Sequence, residues 1–190
     1  MLRLRDKYRT EVIPKMIERF GYKNKMMVPK IEKVVINTGI GRILQGVDPA
    51  KKESVIKELS SELALISGQK PLLTKARKSI SGFKIKKGAP VGLKVTLRGE
   101  RMYDFLERLI HLALPRSRDF QGIKSSAVDK QGNLTIGIKE HIIFPEIQPE
   151  KSKIIFGLEV TLVTNAKKRE EAIELFRLMG FPIRFEDSKG

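Results

Sequence analysis

The side chains best placed to do chemistry in this chain are cations, and they are unevenly spaced. Residues 63–99 hold nine Lys or Arg and no Asp or Glu. Within that stretch, Lys75-Ala76-Arg77-Lys78-Ser79-Ile80-Ser81-Gly82-Phe83-Lys84-Ile85-Lys86-Lys87-Gly88 carries six cations in fourteen residues. A solvated helical face would mix both signs. A membrane-surface helix would need an amphipathic repeat, which this run lacks. An acid-free run instead suits a polyanion, because it neutralises phosphates and releases their counterions. Its two glycines and two serines predict a long basic loop, about residues 74–90. The crowded charges predict that this loop is mobile until a phosphate backbone neutralises it. Phe83 is placed either to stack on a base or to fold back onto the loop's root.

Other chemistries find little support. The 190 residues include no Cys and two His, which removes disulfides, thiol catalysis and zinc ribbons and leaves no metal cluster to expect. His111 lies among Leu109, Ile110 and Leu112 and reads as structural, while His141 has no second histidine at ligand spacing. Gly39-Ile40-Gly41 follows a strand, but Leu44 stands where a dinucleotide fingerprint needs its third glycine. Ser67-Gly68-Gln69-Lys70-Pro71 lacks the spacing of a phosphate-binding loop. No catalytic constellation and no cofactor are expected. The formal charge of +16 has an acidic partner as its simplest explanation. No apolar run approaches the roughly 20 residues of a membrane span, and the first residues show no signal-peptide pattern. The expectation is a cytoplasmic protein with no membrane partner.

The elements that must position these cations read as one α+β domain over residues 1–190, with helices packed on one side of a mainly antiparallel sheet. Val12, Ile13, Met16, Ile17 and Phe20 predict a basic helix over 3–20, with Pro14 as an internal weakness. Residues 30–37 predict a strand. Asp48-Pro49 caps a helix that Gly68 closes. Residues 70–74 predict a short strand, 91–98 a cleanly alternating one, and 100–114 a helix stopped by Pro115. Residues 115–132 read as irregular. Strands at 134–138 and 153–164 and a helix over about 166–179 complete the chain.

Two strands share a pattern. If Val34 and Ile36 face the core, the pleat turns Lys33, Val35 and Asn37 outward. The strand at 91–98 likewise turns Lys94, Thr96 and Arg98 away from Val91, Leu93, Val95 and Leu97. These side chains suit phosphates, ribose hydroxyls and base edges, although an antiparallel sheet can also leave one polar face to water. The chain has nine Phe, three Tyr and no Trp, and neither outward face carries an aromatic. That argues against base-stacking recognition of single strands and for a folded RNA read by backbone, groove and 2′-hydroxyls.

Several ordered segments carry a resemblance. Lys33-Val34-Val35-Ile36-Asn37, Ser67-Gly68-Gln69-Lys70-Pro71, Thr74-Lys75-Ala76-Arg77-Lys78-Ser79, Gly92-Leu93-Lys94-Val95-Thr96-Leu97-Arg98, Ile143-Phe144-Pro145-Glu146-Ile147 and Gly180-Phe181-Pro182 occur in sequence. Over roughly residues 5–185 the chain resembles the bacterial 5S-rRNA-binding family of the large ribosomal subunit, the fifth in the universal numbering. The resemblance implies a non-enzymatic structural constituent that attaches 5S rRNA in the central protuberance, beside large-subunit rRNA and neighbouring proteins. It implies rRNA contacts at Lys33, Asn37, Gln69 and Thr96; Lys94 and Arg98 join them from the pleat alone. It also implies that the basic loop reaches peptidyl-site tRNA, through Thr74, Lys75, Arg77, Lys78, Ser79, Phe83, Lys84, Lys86 and Lys87. The segment near 115–150 is implied to bridge to a head protein of the small subunit.

The chain departs from the family pattern at Ser117, at Gln121 and at Lys130-Gln131, so bridge contacts near 117–132 stay open. A free RNA chaperone or regulator of ribosomal ancestry is the alternative reading, and a plastid-encoded origin also stays open.

Overall fold

A computed structural model describes residues 3–83, 85–118 and 120–184. Of the candidate residues, Lys84 and the side chain of Phe83 lie outside what is described. The fold is α+β, with a mainly antiparallel five-stranded sheet in the order β2-β3-β1-β6-β5 and a two-stranded parallel pair, β4 with β7. Its strands are β1 (Ile31–Gly39), β2 (Leu72–Lys75), β3 (Pro90–Leu97), β4 (Ile123–Lys124), β5 (Leu134–Ile138), β6 (Leu158–Thr164) and β7 (Ile183–Arg184). The chain divides into two compact units: residues 1–34, 97–136 and 160–190 form one, and residues 35–96 and 137–159 form the other.

In the first unit the expected N-terminal helix is built in pieces: α1 (Leu4–Lys7), a π turn (Tyr8–Val12) and α2 (Ile13–Phe20). Pro14 sits at the start of α2, directly after the widened turn. A second proline repeats the arrangement. Helix α5 (Gly99–Arg108) passes through a π turn at Leu109–Ala113 into α6 (Leu114–Arg116). The sequence places the helix stop at Pro115, and the helix ends one residue beyond it, at Arg116. Proline removes one N–H and crowds the preceding turn, and a π turn widens the backbone there, so the chain continues helically to Arg116.

Helix α7 (Arg169–Met179) completes this unit. On it the nearly buried Glu174 meets Arg19 at 2.7 Å and Arg177 at 3.7 Å. The Tyr8 hydroxyl donates to Pro29 O at 3.1 Å, and burial, with Tyr103 adding to it, pushes its pKa up to about 12.

The irregular stretch expected at 115–132 contains β4 and a tightly bonded turn. Asp129 Oδ1 accepts from Gln131 N at 2.9 Å and Asn133 N at 2.8 Å, and Oδ2 accepts from Asn133 Nδ2 at 2.9 Å. Burial would raise the Asp129 pKa, but these bonds favour the carboxylate and hold it below its ordinary value.

In the second unit, Asp48 Oδ1 accepts from Ala50 N at 3.2 Å and opens a 3-10 turn that leads into α4 (Lys52–Ser67). Gly68 closes α4 in the left-handed conformation at φ 67°. A short helix that the sequence reading misses, α3 (Gly41–Gln45), follows β1 directly.

Among the described residues, no helix is long and apolar enough to cross a membrane, and no group of three or more His, Cys, Asp or Glu could hold a metal ion.

Candidate nucleic-acid interface

Strand alternation in the second unit positions Asn37, Lys94 and Thr96. On β1, Ile36 and Thr38 are buried while Asn37 and Gly39 are exposed. On β3, Leu93, Val95 and Leu97 are buried while Lys94 is exposed and Thr96 half-exposed. The outward faces read from the sequence are therefore present. Strand β2 adds to them: it pairs antiparallel with β3, placing Leu72 opposite Lys94 and Thr74 opposite Gly92.

Gly92 is the point where this face is tightest. A Cβ there would lie 2.9 Å from Thr74 Oγ1, 3.0 Å from Thr38 O and 3.9 Å from Asn37 Oδ1. Thr74 and Asn37 thus converge over a position that only glycine can occupy. Gln69, from the turn after α4, reaches the same strand, its Nε2 donating to Thr96 O at 3.4 Å. Asn37, Gln69, Thr74, Lys94 and Thr96 all belong to the second unit, whereas Lys33 and Arg98 belong to the first. Lys33 is half-exposed on β1, and Arg98 is exposed in extended backbone just before α5.

The basic stretch forms a hydrogen-bonded arm where the sequence predicts an irregular loop. Ala76 N donates to Ala89 O at 2.8 Å, and Gly88 N donates to Ala76 O at 2.9 Å. Further out, Ile80 and Ile85 exchange both backbone bonds, at 2.9 and 3.1 Å. Ser79 Oγ accepts from Lys87 N at 2.9 Å. Backbone groups of Ala76, Ile80, Ile85, Gly88 and Ala89 make the ladder, and Lys75, Arg77, Lys78, Lys86 and Lys87 remain exposed. Sequence groups Thr74 with these cations, yet its hydroxyl sits with the sheet residues.

Where the outer part of the arm meets β1 and α3, a recess of about 550 Å³ is lined by Gly39, Gly41, Arg42, Gln45, Gly82, Ile85 and Val91. Exposed Arg42, on α3, is a cation that the sequence reading misses. Its signal is the run Gly39-Ile40-Gly41-Arg42, which on sequence reads only as an incomplete dinucleotide motif.

One buried cluster invites a catalytic interpretation and fails it. His141 is fully buried, stacked on Phe156 at 3.9 Å, with Nε2 3.1 Å from Glu62 Oε2 and 3.2 Å from Ser152 Oγ. Nδ1 accepts from Phe156 N at 3.3 Å. A hydrolase triad needs its carboxylate and its serine on opposite ring nitrogens. Here both approach Nε2, and solvent reaches none of the ring. Burial lowers the His141 pKa, and Glu62 opposes that shift without overcoming it. The ring is a neutral structural tie between α4 and residues 141–156. His111, read as structural, is exposed on the π turn after α5.

The arrangement as a whole offers hydrogen-bonding groups on a pleated surface and, beside them in sequence, an arm of exposed cations. Comparisons with known proteins agree in kind. Residues 24–86 match the family model described as ribosomal protein L5, and residues 90–183 match the model of that ribosomal family's C-terminus. The chain is 54% identical over 184 residues to the large ribosomal subunit protein uL5 of Syntrophomonas wolfei, covering 97% of this chain and all of that one. It is 50% identical over 182 residues to uL5 of Carboxydothermus hydrogenoformans, covering 96% and 98% of the two chains. Against uL5 of Thermoanaerobacter sp. it is 51% identical, with the same coverage.

Proposed function

The chain belongs to the ribosomal protein L5 family, a structural and non-enzymatic constituent of the large ribosomal subunit, and from that premise we propose that its polar sheet face binds 5S rRNA and helps fix that RNA in the central protuberance. The observation that carries this reading is the convergence of Asn37 and Thr74 over Gly92, with Thr96 and Lys94 on the same strand as that glycine. Gly92 is itself buried, and packing by Thr74 and Thr38 excludes a side chain there, so this glycine fixes how closely the flanking donors approach each other. Gln69 completes this set in the second unit, and Lys33 and Arg98 of the first unit are rRNA contacts of their own in this proposal.

The arm serves a different RNA in this proposal. Lys75, Arg77, Lys78, Ser79, Lys84, Lys86 and Lys87, with Phe83, contact peptidyl-site tRNA. The segment near 115–150 meets a head protein of the small subunit, while large-subunit rRNA and other central-protuberance proteins flank the remainder. The protein works in the cytoplasm as part of the ribosome.

Filter binding of the full chain to folded 5S rRNA, across a range of salt concentrations, tests the central claim. The 5S complex is expected to exceed a generic RNA hairpin by at least about 10³-fold in affinity, and both should weaken as salt rises. Equal affinity for the two RNAs overturns the proposal and favours a free RNA chaperone.

A further inference from the structure

Beside Asn37 the second unit has a shallow recess of about 500 Å³ that no sequence motif announces. Asn37, Gly39, Gly137, Lys139, Gly157 and Glu159 line it, together with Ile138 and Leu158. Its walls come from β1, β5 and β6, and it mixes an amide, an ammonium and a carboxylate. The three glycines have different origins. At Gly157 a Cβ would come within 3.0 Å of Ile138 O and 3.2 Å of Lys139 O, so packing of the protein itself excludes a side chain. Gly39 and Gly137 face no such demand: a Cβ at either meets nothing within 4 Å, and neither has a positive φ. Gly137 lies inside β5 and Gly39 ends β1; glycine within a strand costs stability and marks a bulge, a bend or a close approach by a ligand or another backbone. Both glycines therefore leave open space beside the recess that a ligand can enter.

The carboxylate narrows the ligand. Glu159 is exposed on a surface whose other groups suit a polyanion, and it repels phosphate. It can accept hydrogen bonds only, so it suits a groove that displays donors. The A-form minor groove is wide and shallow and presents 2′-hydroxyls, with the guanine amino group as a further donor. We infer that this recess seats the minor groove of an A-form RNA helix, with Glu159 accepting from 2′-hydroxyl or guanine amino donors, Lys139 meeting a flanking phosphate, and Gly39 and Gly137 admitting the sugar edge. The inference rests on the proposed 5S rRNA reading and extends that surface from β3 and β1 onto β6 and β5.

Two substitutions in the full chain test it, with folded 5S rRNA as the probe. Gly137→Val adds bulk where the protein has room and a residue that strands favour, so its melting temperature should hold or rise. Its 5S affinity should fall about tenfold or more, as for losing a set of close contacts. Glu159→Gln removes a negative charge, and simple electrostatics then requires tighter RNA binding. The inference requires the reverse for 5S rRNA, a loss of about tenfold as a charged acceptor becomes neutral, with the slope of affinity against salt unchanged. Binding to single-stranded polyuridine should hold or tighten.

If the unsubstituted protein prefers 5S rRNA and Thr96→Ala weakens that complex, but both new variants bind like the parent, the inference is overturned alone. If the unsubstituted protein shows no preference for 5S rRNA, the underlying reading falls and takes the inference with it.

Discussion

The sheet face and the arm both lie in the second unit, yet they are built on opposite principles. The arm concentrates exposed cations on a narrow hydrogen-bonded ladder, and within residues 63–99 no acid competes for them. Around Gly92 the sheet face sets Lys94 among neutral groups fixed by pleat and pairing: Asn37, Thr74 and Thr96. Charge on an arm acts at a distance and tolerates error in position, so it supplies affinity and salt dependence. Short neutral side chains act only at contact and in the correct geometry, so they discriminate. The same unit therefore separates attraction from recognition, and the two should respond differently to substitution.

The largest expected effect comes from the point where the sheet face is tightest. Gly92→Val places carbon against Thr74 Oγ1 and Thr38 O, the 2.9 and 3.0 Å approaches, and forces β2 or β1 to give. Overpacking of this kind costs about 1–3 kcal/mol in urea unfolding. The 5S complex should weaken by about 10²-fold or more, since several partners shift together. Single truncations come next. Asn37→Ala or Thr96→Ala should cost the 5S complex about 1–3 kcal/mol, whereas Lys84→Ala and Lys86→Ala should leave it almost unchanged. In the tRNA complex those arm variants should each reduce the salt slope by about one. Arm variants that lose 5S affinity in proportion would erase the division between the two surfaces.

A pH series separates both surfaces from the core beneath them. Folding holds the His141 pKa below its ordinary 6.5, so the unfolded chain binds the extra proton first. The stability from keeping this ring neutral is complete above about pH 6.5 and declines as pH falls below it. Denaturant midpoints at successive pH values should show that decline, and His141→Gln should flatten it. Asn37 and Thr96 carry no titratable group, so over the same range 5S binding should change only as the folded fraction does.

Which parts were legible in the sequence follows from the range of the interactions involved. The α+β class, the capped helix after Asp48 and the outward side chains of β1 and β3 were readable, because each depends on local periodicity or capping. Pro115 marks the helix end to within one residue but not the π turn before it, because whether a proline ends a helix depends on whether the backbone can widen before it. The arm's ladder was hidden because Ala76, Ile80, Ile85 and Ala89 are scattered among crowded cations and show no strand period. Thr74 belongs by sequence to a run of cations and by pairing to Gly92, and only the strand register decides between them. His141 with Glu62 and Ser152 joins residues far apart in the chain, which no spacing rule brings together. The glycines at 39 and 137 look alike on paper to Gly157; only the space around each Cβ tells them apart.

The smallest expected effect tests whether the arm belongs to the fold at all. Deleting residues 76–87 removes the Ile80–Ile85 ladder and the Ser79–Lys87 bond, which are internal to the arm, and the two Ala76 bonds at its root. Among the described residues, the packing lost is that of half-exposed Ile85 and of Gly82, which line the recess beside α3. Five cations leave with the segment, which relieves repulsion and offsets part of that loss. The melting temperature should therefore fall by less than about 4 °C, equivalent to roughly 1 kcal/mol for a chain of this size. Affinity for 5S rRNA should persist and tRNA contact should vanish. A much larger fall in melting temperature would make the arm part of the unit's core. Its cations would then be positioned as rigidly as the sheet residues, and the contrast between attraction and recognition would lose its structural basis.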